Sequence, residues 1–567
     1  MKSSLKTRLS ALAIFAALAA MAIGLSACGG SKSTAAAANT TSVVGVGAGN
    51  QKVEGDPVKG GTLVYSTDRE PTCLDPHNFG DMPQTYVARQ YLDSLVSMQP
   101  DGTVVPWLAE KWDISKDGLQ YTFHLKKGVN FTDGTPFDAE AVKANFEQTL
   151  DPETQSSTNL VYLLPIYKSV DVLDKYTVRV NLKRPYSPFL DVLAQAFFGM
   201  ESPKAMARGI KENCVSPVGT GPFILKKWKK GQEIELVRNP DYNSAPADAN
   251  NQGPAYLDAI TWRFLPDPSV RWQALQSGEA QAIFSVPPED FAAAQSDPNI
   301  ELKQFVHAGI GHYIVLDNSE PPFDDIKVRQ AFTLAANTPA AVESAYQGAY
   351  PVATSAISSG TPFYTAKYAN LYPHDLAKAE KLLDQAGWKK GANGVREKDG
   401  KPLTVKFIYS SGPGETPPAE LTLYQNVQAA VKEAGFDMSL VPQPQAQHNE
   451  QANIPADFDA EPTYWNCPTP MCMYIVSSIE AYDSPFANMS RIKNPELDKT
   501  LLAAAATTDR KQQETLYSKA QQIIAENAYW VPMYPEQTLL GVSKKLKGVW
   551  IEPSEGEPVL SDAWLES

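Results

Sequence analysis

Leu108 to Leu150 read LAEKWDISKDGLQYTFHLKKGVNFTDGTPFDAEAVKANFEQTL, and the hydrophobic period of this stretch changes along its length. Asp117-Gly118 and Asp133-Gly134 are turn signals around a run in which apolar and polar residues alternate, as in a half-buried strand. The alternating apolar residues are Leu119, Tyr121, Phe123, Leu125, Val129 and Phe131. Asp138 then stands at the N-cap position of a segment with helical spacing. We therefore predict a hairpin-rich sheet that leads into a helix.

The chain lacks the short motifs of common hydrolases and nucleotide-binding enzymes. It has no Gly-x-Ser-x-Gly elbow, no His-Glu-x-x-His pair and no phosphate-binding Gly-x-x-x-x-Gly-Lys-Ser/Thr loop. Its six histidines are scattered, and the closest pair, His307 and His312, is better interpreted as strand histidines than as metal ligands. We therefore predict that the protein is not an enzyme and has no cofactor and no metal site.

Four other segments of the chain, together with 108–150, resemble those of a known protein family. They are EPTCLDPH at 70–77, PVGTGPF at 217–223, PFDDIKVRQAF at 322–332 and DLAKAEKLLDQAGW at 375–388. Together with 108–150 they resemble, in the same order, the signature segments of the extracellular solute-binding protein family 5. This family serves ABC importers of peptides, nickel and opines. The resemblance runs from about Gly60 to the C-terminus.

The resemblance implies an α/β fold of the type II periplasmic-binding-protein kind. It implies two lobes, an inserted subdomain and a hinge at which the chain crosses twice between the lobes, near 312 and near 530. The expected parts are a first lobe at 60–100, 216–312 and 530–567, an inserted subdomain at 101–215 and a second lobe at 313–529. Two crossings would allow the lobes to close around a ligand.

Two local patterns predict secondary structure within these parts. Apolar residues between Met82 and Met98 recur at helical spacing and predict a helix over 82–98. In the second lobe, strand-like segments at 402–410 and 436–441 flank a helical segment at 419–434. This order predicts a βαβ unit and a sheet that contains parallel strands.

The N-terminus carries an export signal. Three basic residues precede an apolar run from Leu9 to Leu25, which is short for a membrane span of roughly 20 residues. Leu25-Ser-Ala-Cys28 resembles the lipobox of bacterial lipoproteins, in which the cysteine is acylated. We expect a signal peptide at 1–27 and a lipidated, flexible tether at 28–59, with the protein anchored outside the cytoplasmic membrane. A plain signal peptide or a short membrane anchor is the alternative.

The composition limits the partners of the protein. The formal net charge is −14, and removal of the three basic residues of the signal makes the exported chain more acidic. An acidic chain is a poor ligand for nucleic acid and for anionic lipid. We expect a monomer.

Four cysteines remain when Cys28 is lipidated: Cys73, Cys214, Cys467 and Cys472. An even number in an exported protein suggests two disulfides, for which three pairings are possible. Cys467 and Cys472 could close a small loop, leaving Cys73 for Cys214. A metal site is the rival interpretation, but no histidine lies at ligand spacing from either pair.

Aromatic residues in the second lobe indicate where a ligand could bind. Residues 457–482 contain Tyr464, Trp465, Tyr474 and Tyr482 near prolines and cysteines. Aromatic side chains at the border of a cleft provide contact area for small ligands, although they could equally pack the lobe. We expect Tyr464, Trp465 and Tyr482 to contact the ligand.

The resemblance implies a more specific role for the next residue. Peptide-binding family members have a segment like ADYPDP, whose aspartate pairs with the ammonium group of the ligand. Residues 465–470, WNCPTP, align with it and place Asn466 on that aspartate. An amide cannot neutralise a buried ammonium, so a free peptide amino terminus is a poor handle for this protein. In a shifted alignment, Asp457 or Asp459 would take this role.

Two residues of the first lobe are further candidates. His77 follows the turn at 74–76 and could face the cleft or be part of the turn, and Arg69 could pair with a ligand carboxylate. The predicted function is capture of a small solute, peptide-like by default, and delivery to the permease of an ABC importer with a separate ATPase subunit. Nickel chelates, opines, sugars and siderophore-like molecules remain open as ligands. The alternatives are a ligand-sensing lipoprotein that feeds a signalling receptor and a secreted hydrolase.

Overall fold

The segment 108–150 lies in a four-stranded antiparallel sheet and the helix that follows it. A computed structural model describes residues 48–50, 55–156, 158–412, 415–451, 458–482 and 487–566. The strands of this sheet, in spatial order, are Ala109–Ile114, Gln120–Leu125, Thr177–Leu182 and Tyr167–Asp174. Tyr121, Phe123 and Leu125 are buried. The prediction of a hairpin followed by a helix is confirmed.

The helix Ala139–Leu150 begins where the sequence predicted. The Asp138 carboxylate accepts a hydrogen bond from the Ala141 amide, which is one of the donors that a helix N-terminus leaves unpaired. Val142 and Phe146 are buried on one face of this helix. The sheet and the helix thus form one packed layer pair within the expected inserted subdomain.

A seven-stranded mixed sheet, here called the first sheet, gathers strands from distant parts of the chain. In spatial order these are Ile300–Val306, Gln537–Ser543, Ala282–Phe284, Thr62–Thr67, Ala259–Phe264, Glu233–Arg238 and Phe223–Lys229. Thr62–Thr67 is parallel to both of its neighbours. Tyr65 and Trp262 stack in the core of this sheet, with ring centroids 4.1 Å apart.

A five-stranded sheet, the second sheet, forms the other half. Its order is Asp437–Pro444, Thr404–Ser411, Ala460–Asn466, Gly309–Leu316 and Trp530–Tyr534. Thr404–Ser411 and Asp437–Pro444 are parallel and are joined by the helix Pro418–Ala434. The predicted βαβ unit is confirmed.

Helices cover both large sheets, and shorter strands complete the chain. The helices of eight or more residues not yet given are Pro268–Ser277, Ile326–Ala336, Thr338–Tyr346, Leu376–Gln385, Pro495–Ala506 and Arg510–Asn527. The short strands pair as Val96–Met98 with Val104–Pro106, Leu546–Lys547 with Trp564–Leu565, and Trp550–Ile551 with Pro558–Val559. Within the described residues, no helix has the length and apolar character that a membrane crossing requires.

The predicted helix 82–98 is wrong in its second half. The helix ends at Ala88, and Val96–Met98 is a strand. The carbonyls of Gln90 and Tyr91 accept hydrogen bonds from the amides of Phe223 and Gly221 instead of continuing the helix. Tertiary contacts therefore override a helical pattern that arises because nearly every side chain here is buried.

The two crossings between the sheets lie at 307–308 and 535–536. The sequence analysis expects lobe crossings near 312 and near 530, and these connections flank Gly309–Leu316 and Trp530–Tyr534, which pair with each other in the second sheet. The two crossings run side by side, and the His307 amide donates a hydrogen bond to the Glu536 carbonyl at 2.9 Å. His307 and Glu536 therefore belong to the connection between the sheets and not to either sheet.

The signal peptide 1–27, Cys28 and most of the tether lie outside the described residues. Only Ala48, Gly49 and Asn50 and the segment from Gly55 onward are described in this region, and Gly49 donates to the carbonyl of Ile551.

Candidate functional site

A cavity of about 450 Å³ lies between the two sheets, beside the crossings. Arg69 and Thr67 line it from the first sheet, Tyr464 and Asn466 from the second, and Glu536 from the second crossing. Its volume falls within the range of roughly 300–1,000 Å³ that is usual for small-molecule sites. We call this cavity the cleft.

Tyrosines and prolines supply most of the wall of the cleft. The tyrosines are Tyr86, Tyr346, Tyr350, Tyr424, Tyr464 and Tyr534, and the prolines include Pro83, Pro266, Pro287, Pro417 and Pro462. Tyrosine gives a rigid contact surface with a polar tip, so such a wall can hold both apolar and hydrogen-bonding parts of a ligand.

His312 forms the centre of this wall. It lies on Gly309–Leu316, opposite Tyr464 on one neighbouring strand and Tyr534 on the other. The three rings stack, with centroids 4.7 Å apart for His312 and Tyr464 and 4.2 Å apart for His312 and Tyr534. Cross-strand neighbours on one face of a sheet make such contacts by default.

Two carboxylates hold the His312 ring from opposite sides. His312 Nε2 forms a hydrogen bond with Glu536 from the second crossing, and His312 Nδ1 lies 3.4 Å from Glu420 in the first turn of its helix. Burial alone would lower the pKa of His312, but the two carboxylates raise it to about 9. Burial likewise opposes the charge of Glu536, and His312 lowers the pKa of that carboxyl. The imidazole is thus a cation at neutral pH.

Arg69 is a second cation of the cleft and has several acidic neighbours. It follows the strand Thr62–Thr67, and its Nε lies 3.9 Å from Asp68. Burial opposes its charge, but Asp81, Tyr464, Asp68 and Glu415 raise its pKa. Since Tyr464 belongs to the second sheet, Arg69 connects the two walls of the cleft. Its charge is already compensated by acidic side chains.

Asn466 ends the strand Ala460–Asn466 with an unpaired side chain. Both Asn466 Oδ1 and Asn466 Nδ2 are buried and have no hydrogen-bond partner among the described residues. Gly309 on the adjacent strand, with φ at +122°, lies so close that a Cβ there would be 2.2 Å from the Trp465 carbonyl. This close approach fixes the end of the strand and the position of the Asn466 amide.

Trp465 and Tyr482, predicted to contact the ligand, do not line the cleft. Trp465 lies between Tyr464 and Asn466, so alternation along the strand directs its side chain to the other face, where it packs on a hydrophobic core. Tyr482 lies outside the cleft, where the Lys493 ammonium lies 3.8 Å from its ring centroid. Contact of these two residues with a ligand stays a prediction, and the lining of the cleft does not support it.

His77 also lies away from the cleft. It is fully enclosed, and its ring Nε2 lies 3.0 Å from the Gly199 carbonyl. Of the two interpretations given for His77, the structure supports the residue of a turn. Asp457 falls outside the described residues, and the Asp459 carboxylate accepts a hydrogen bond from the Lys406 amide at 2.6 Å and does not line the cleft.

Cysteines pair as Cys73 with Cys214 and Cys467 with Cys472. This is the pairing that small-loop closure favoured. The first disulfide fastens the turn around His77 to the segment that precedes the first sheet. The second follows Asn466 directly and closes the loop at the end of its strand.

Sequence reasoning missed the His312 centre. The sequence separates Glu420, Glu536 and His312 by more than 100 residues in each case, so no local pattern connects them. One available signal was the segment WVPMYPE at 530–536, where an acidic residue directly follows a family-like turn. Carboxylates at lobe crossings are well placed to reach a cleft.

Comparisons with known proteins agree with this architecture. The profile of the bacterial extracellular solute-binding proteins, family 5 Middle, matches residues 103–479. The glutathione-binding protein GsiB of Salmonella paratyphi A is 31% identical over 500 residues, which are 87% of this chain and 93% of that protein.

Two solved structures extend the similarity to the fold. The periplasmic binding protein DppA of Helicobacter pylori, in complex with peptide STSA, is 26% identical with a TM-score of 0.75, over 90% of this chain and 99% of that one. The oligopeptide-binding protein AppA of Bacillus subtilis, in complex with a nonapeptide, is 25% identical with a TM-score of 0.76, over 90% and 100%. Both are two-lobed α/β binding proteins, as the sequence predicted for this chain.

The family profile, the similar proteins and the solved structures all indicate the same protein family. The members are binding proteins that capture solutes for ABC importers, and the chain has their cleft between two sheets joined by two crossings. The protein belongs to the bacterial extracellular solute-binding protein family 5 and captures a solute for delivery to an ABC transporter.

Proposed function

We propose that the solute is a short peptide or peptide-like molecule bound in the cleft. The observation that carries this proposal is the side-chain amide of Asn466, whose donor and acceptor are both buried and unpaired beside a cavity of about 450 Å³. A buried amide without partners is costly, and a peptide group offers the complementary acceptor and donor. The ligand would therefore form hydrogen bonds with Asn466.

The remaining contacts follow from the wall of the cleft. Tyr464 is 36% exposed in this ligand-free chain and offers its ring to the solute. Arg69 lies among Asp68, Asp81 and Glu415, so it has little net charge to offer to a ligand carboxylate. We propose that Arg69 instead joins the two walls through Tyr464 when the lobes close.

A free ammonium group is a poor partner for Asn466. The amide carries no charge, so an ammonium buried against it would keep most of its desolvation cost. Glu420 and Glu536 are already occupied by His312. We therefore propose that ordinary free tripeptides bind weakly. Peptides with a blocked or differently linked amino terminus should bind more tightly.

Closure would proceed about the two crossings. The proposed first lobe contains the first sheet, the second lobe contains the second sheet, and 101–215 form the inserted subdomain. Rotation at 307–308 and 535–536 would open the cleft by separating Arg69 from Tyr464, which interact across it in this structure, and would restore this contact around the solute. The free energy of closure would come from contacts that the ligand makes only in the closed form.

Cellular placement completes the proposal. A signal peptide at 1–27 directs export, acylated Cys28 anchors a monomer outside the cytoplasmic membrane, and the tether to residue 59 lets the body reach a permease. ATP would be hydrolysed by a separate subunit, and the protein would release its solute unchanged. The support is the lipobox-like LSAC at 25–28.

The test begins with native mass spectrometry of protein purified without denaturation, which reports a co-purified solute. A thermal-shift panel then compares free tripeptides, the same tripeptides with acetylated amino termini, and glutathione, for which the relative GsiB is named. We expect the acetylated series to raise Tm more than the free series, since a bound ligand stabilises by RT ln(1 + [L]/Kd). Nanomolar affinity for free tripeptides, or hydrolysis of any bound solute, would contradict the proposal.

A further inference from the structure

A second charged cluster lies away from the cleft, where the turn before the helix Met82–Ala88 meets the inserted subdomain. Asp75 and His77 come from this turn, and Glu201 follows a short helical segment at Ala196–Phe198. One nitrogen or oxygen of each residue lies within 4.8 Å of the others. All three side chains are enclosed, with at most 1% of each residue exposed. We call these residues the His77 cluster.

Protein groups hold the outward-facing atoms of the cluster. His77 Nε2 lies 3.0 Å from the Gly199 carbonyl, an acceptor, so this nitrogen carries the proton. The Asn213 side-chain amide donates to Asp75 Oδ2 at 2.8 Å and to Glu201 Oε2 at 2.5 Å. Each member is thereby fixed in orientation by a hydrogen bond, and Asn213 Nδ2 holds both carboxylates.

Two other atoms of the cluster, His77 Nδ1 and Glu201 Oε1, lack such partners among the described residues. With the proton on Nε2, His77 Nδ1 presents a lone pair, and it faces Asp75 Oδ1 at 3.8 Å. His77 Nδ1 and Glu201 Oε1 have no hydrogen-bond partner in the described parts of the chain. Among the same residues, no lysine or arginine forms an ion pair with Asp75 or Glu201. Asp75 is better satisfied, since its Oδ1 accepts a hydrogen bond from the His77 amide at 2.8 Å and its Oδ2 accepts one from Gln148 Nε2 at 3.0 Å. His77 Nδ1 and Glu201 Oε1 thus lie unpaired beside Asp75 in a buried space, and unpaired buried polar atoms are costly.

We propose that the His77 cluster binds one divalent transition-metal ion, through His77 Nδ1 and one carboxylate oxygen each from Asp75 and Glu201. One imidazole with two carboxylates is a donor set for ions such as Zn²⁺ or Mn²⁺. Metal-bound histidines generally donate their other ring N–H to a carbonyl or carboxylate, as His77 does to Gly199. The orienting bonds from Asn213 complete the same pattern.

The position of the cluster indicates what the ion would do. It lies beside the disulfide between Cys73 and Cys214, which spans the same two segments. An ion there would join the turn that leads into the first lobe to the inserted subdomain. It is independent of the solute in the cleft, so it goes beyond the proposed function, and it departs from the sequence-based prediction that the protein has no metal site.

A shared proton is the competing explanation. If Asp75 and Glu201 together bind one proton, their repulsion is relieved without an ion. The two explanations differ in metal content, so they can be separated by measurement on the unmodified protein.

The first experiment uses the full exported chain. Its metal content is measured by mass spectrometry after native purification. The protein is then unfolded in guanidinium with a chelator under non-reducing conditions, refolded, and titrated with Zn²⁺ and Mn²⁺ against a chromogenic chelator. We expect one ion per chain and a Tm that falls on removal of the ion and recovers at one equivalent. No binding by either ion and an unchanged Tm would overturn the proposal and leave the shared proton.

Matched variants locate the ion. His77→Gln should weaken binding by about 100-fold or more, since loss of merely supporting residues already costs 10–100-fold. His124→Gln, which alters a partly exposed histidine paired with Asp113 in the inserted subdomain, should bind as the wild type does. Binding that survives in His77→Gln but is lost in Glu536→Gln would place the ion in the cleft and overturn the proposal.

X-ray absorption of the Zn²⁺-loaded wild type gives a readout that does not depend on the folding of any variant. The expected first shell is one imidazole nitrogen with oxygen ligands at about 2.0–2.2 Å and no sulfur. A shell containing sulfur would assign the ion to cysteines, and a shell of oxygen alone would exclude His77. Either result would refute the site.

Discussion

Two histidines of this protein, His312 and His77, each lie near two carboxylates. The partners of their ring nitrogens differ, and this difference determines what can balance the negative charge of the carboxylates. Both nitrogens of His312 face a carboxylate, Glu420 on one side and Glu536 on the other. His77 uses Nε2 for the Gly199 carbonyl, and its Nδ1 lies 3.8 Å from Asp75 Oδ1 with no hydrogen-bond partner among the described residues. The same residue types therefore make a centre in the cleft whose histidine pairs with both carboxylates, and a buried cluster in which His77 Nδ1 and Glu201 Oε1 stay unpaired.

This difference shows that the residue types in a cluster do not by themselves determine how its charge is balanced. A histidine with both nitrogens free to donate becomes a cation, and the acidic partners raise its pKa to about 9. A histidine with one nitrogen committed to a backbone carbonyl can offer the other nitrogen to a metal ion, as metal-binding histidines generally do. Backbone geometry around each ring, which the sequence alone does not give, chooses between these outcomes.

Removal of a disulfide should give the largest loss in the free energy of unfolding, and the two disulfides should differ. Cys73 and Cys214 are 141 residues apart, whereas Cys467 and Cys472 are separated by 5. Chain entropy predicts a loss of about 5 kcal/mol for removal of the long-range bond and about 2 kcal/mol for the short one. Guanidinium unfolding of Cys73→Ser/Cys214→Ser and Cys467→Ser/Cys472→Ser checks this order. Equal losses in the free energy of unfolding would mean that the disulfide between Cys73 and Cys214 stabilises the fold no more than the short-range disulfide does.

Substitution of His312 should lower the free energy of unfolding almost as much as removal of the long-range disulfide. His312→Gln leaves Glu420 and Glu536 without their shared cation in a largely buried site, and breaking a buried ion pair costs about 3–5 kcal/mol. His124→Gln is the control, because His124 and Asp113 form a pair in which Asp113 is mostly exposed, and such pairs contribute about 0–1 kcal/mol. Chemical unfolding without ligand measures both. A loss below 1 kcal/mol for His312→Gln would show that the centre is not a cation.

The fold was far more predictable from sequence than this centre. The alternation around Tyr121 and Phe123 and the N-cap at Asp138 are local signals, and the structure follows them closely. The helix predicted over 82–98 failed because its carbonyls bond to strands more than 100 residues away. Local periodicity reports burial, and in a segment buried on all sides it no longer distinguishes a helix from an irregular chain.

The pH dependence of stability distinguishes the two histidines next. The folded pKa of His312, about 9, lies above its ordinary value of 6.5. Its stabilisation is therefore fully present below pH 6.5 and is lost as the pH rises through 9. The shift corresponds to roughly 3 kcal/mol, at 1.36 kcal/mol per pKa unit.

The measurement is the free energy of unfolding from pH 6 to pH 10. Wild type should lose stability across this range, and His312→Gln should show a flatter curve over the same interval. His77→Gln should retain the wild-type slope between pH 6.5 and 9, because His77 lies outside the His312 centre and its partners are Gly199 and Asp75, not Glu420 or Glu536. A slope that disappears in His77→Gln instead would reverse the assignment of the two sites.

The candidate binding residues were predictable only in part. Alternation along Ala460–Asn466 places Tyr464 and Asn466 on one face and Trp465 on the other, a signal that the sequence of this strand already contains. For Tyr482 and His77 the sequence offers only residue type and position. Their distance from the cleft follows from the packing of loops, which carries no local signal. Glu420 and Glu536 needed the folded chain.

The smallest expected effect is a change in ligand affinity when a negative charge is added to the cleft at residue 466. Asn466→Asp introduces a carboxylate whose neighbours, unlike those of Glu420 and Glu536, include no histidine within hydrogen-bond distance in the described chain. A ligand ammonium would then be its natural partner, and a hydrogen bond to a charged group contributes about 1.5–3 kcal/mol. We expect free tripeptides to bind the variant about 10- to 100-fold more tightly than the wild type, and acetylated tripeptides to gain nothing. Calorimetric titration of both series checks this, with Asn466→Ala as the control that removes the amide without adding charge. If Asn466→Asp and Asn466→Ala respond alike to both series, the residue does not meet the amino end of the ligand, because only the aspartate supplies the charge that an ammonium requires.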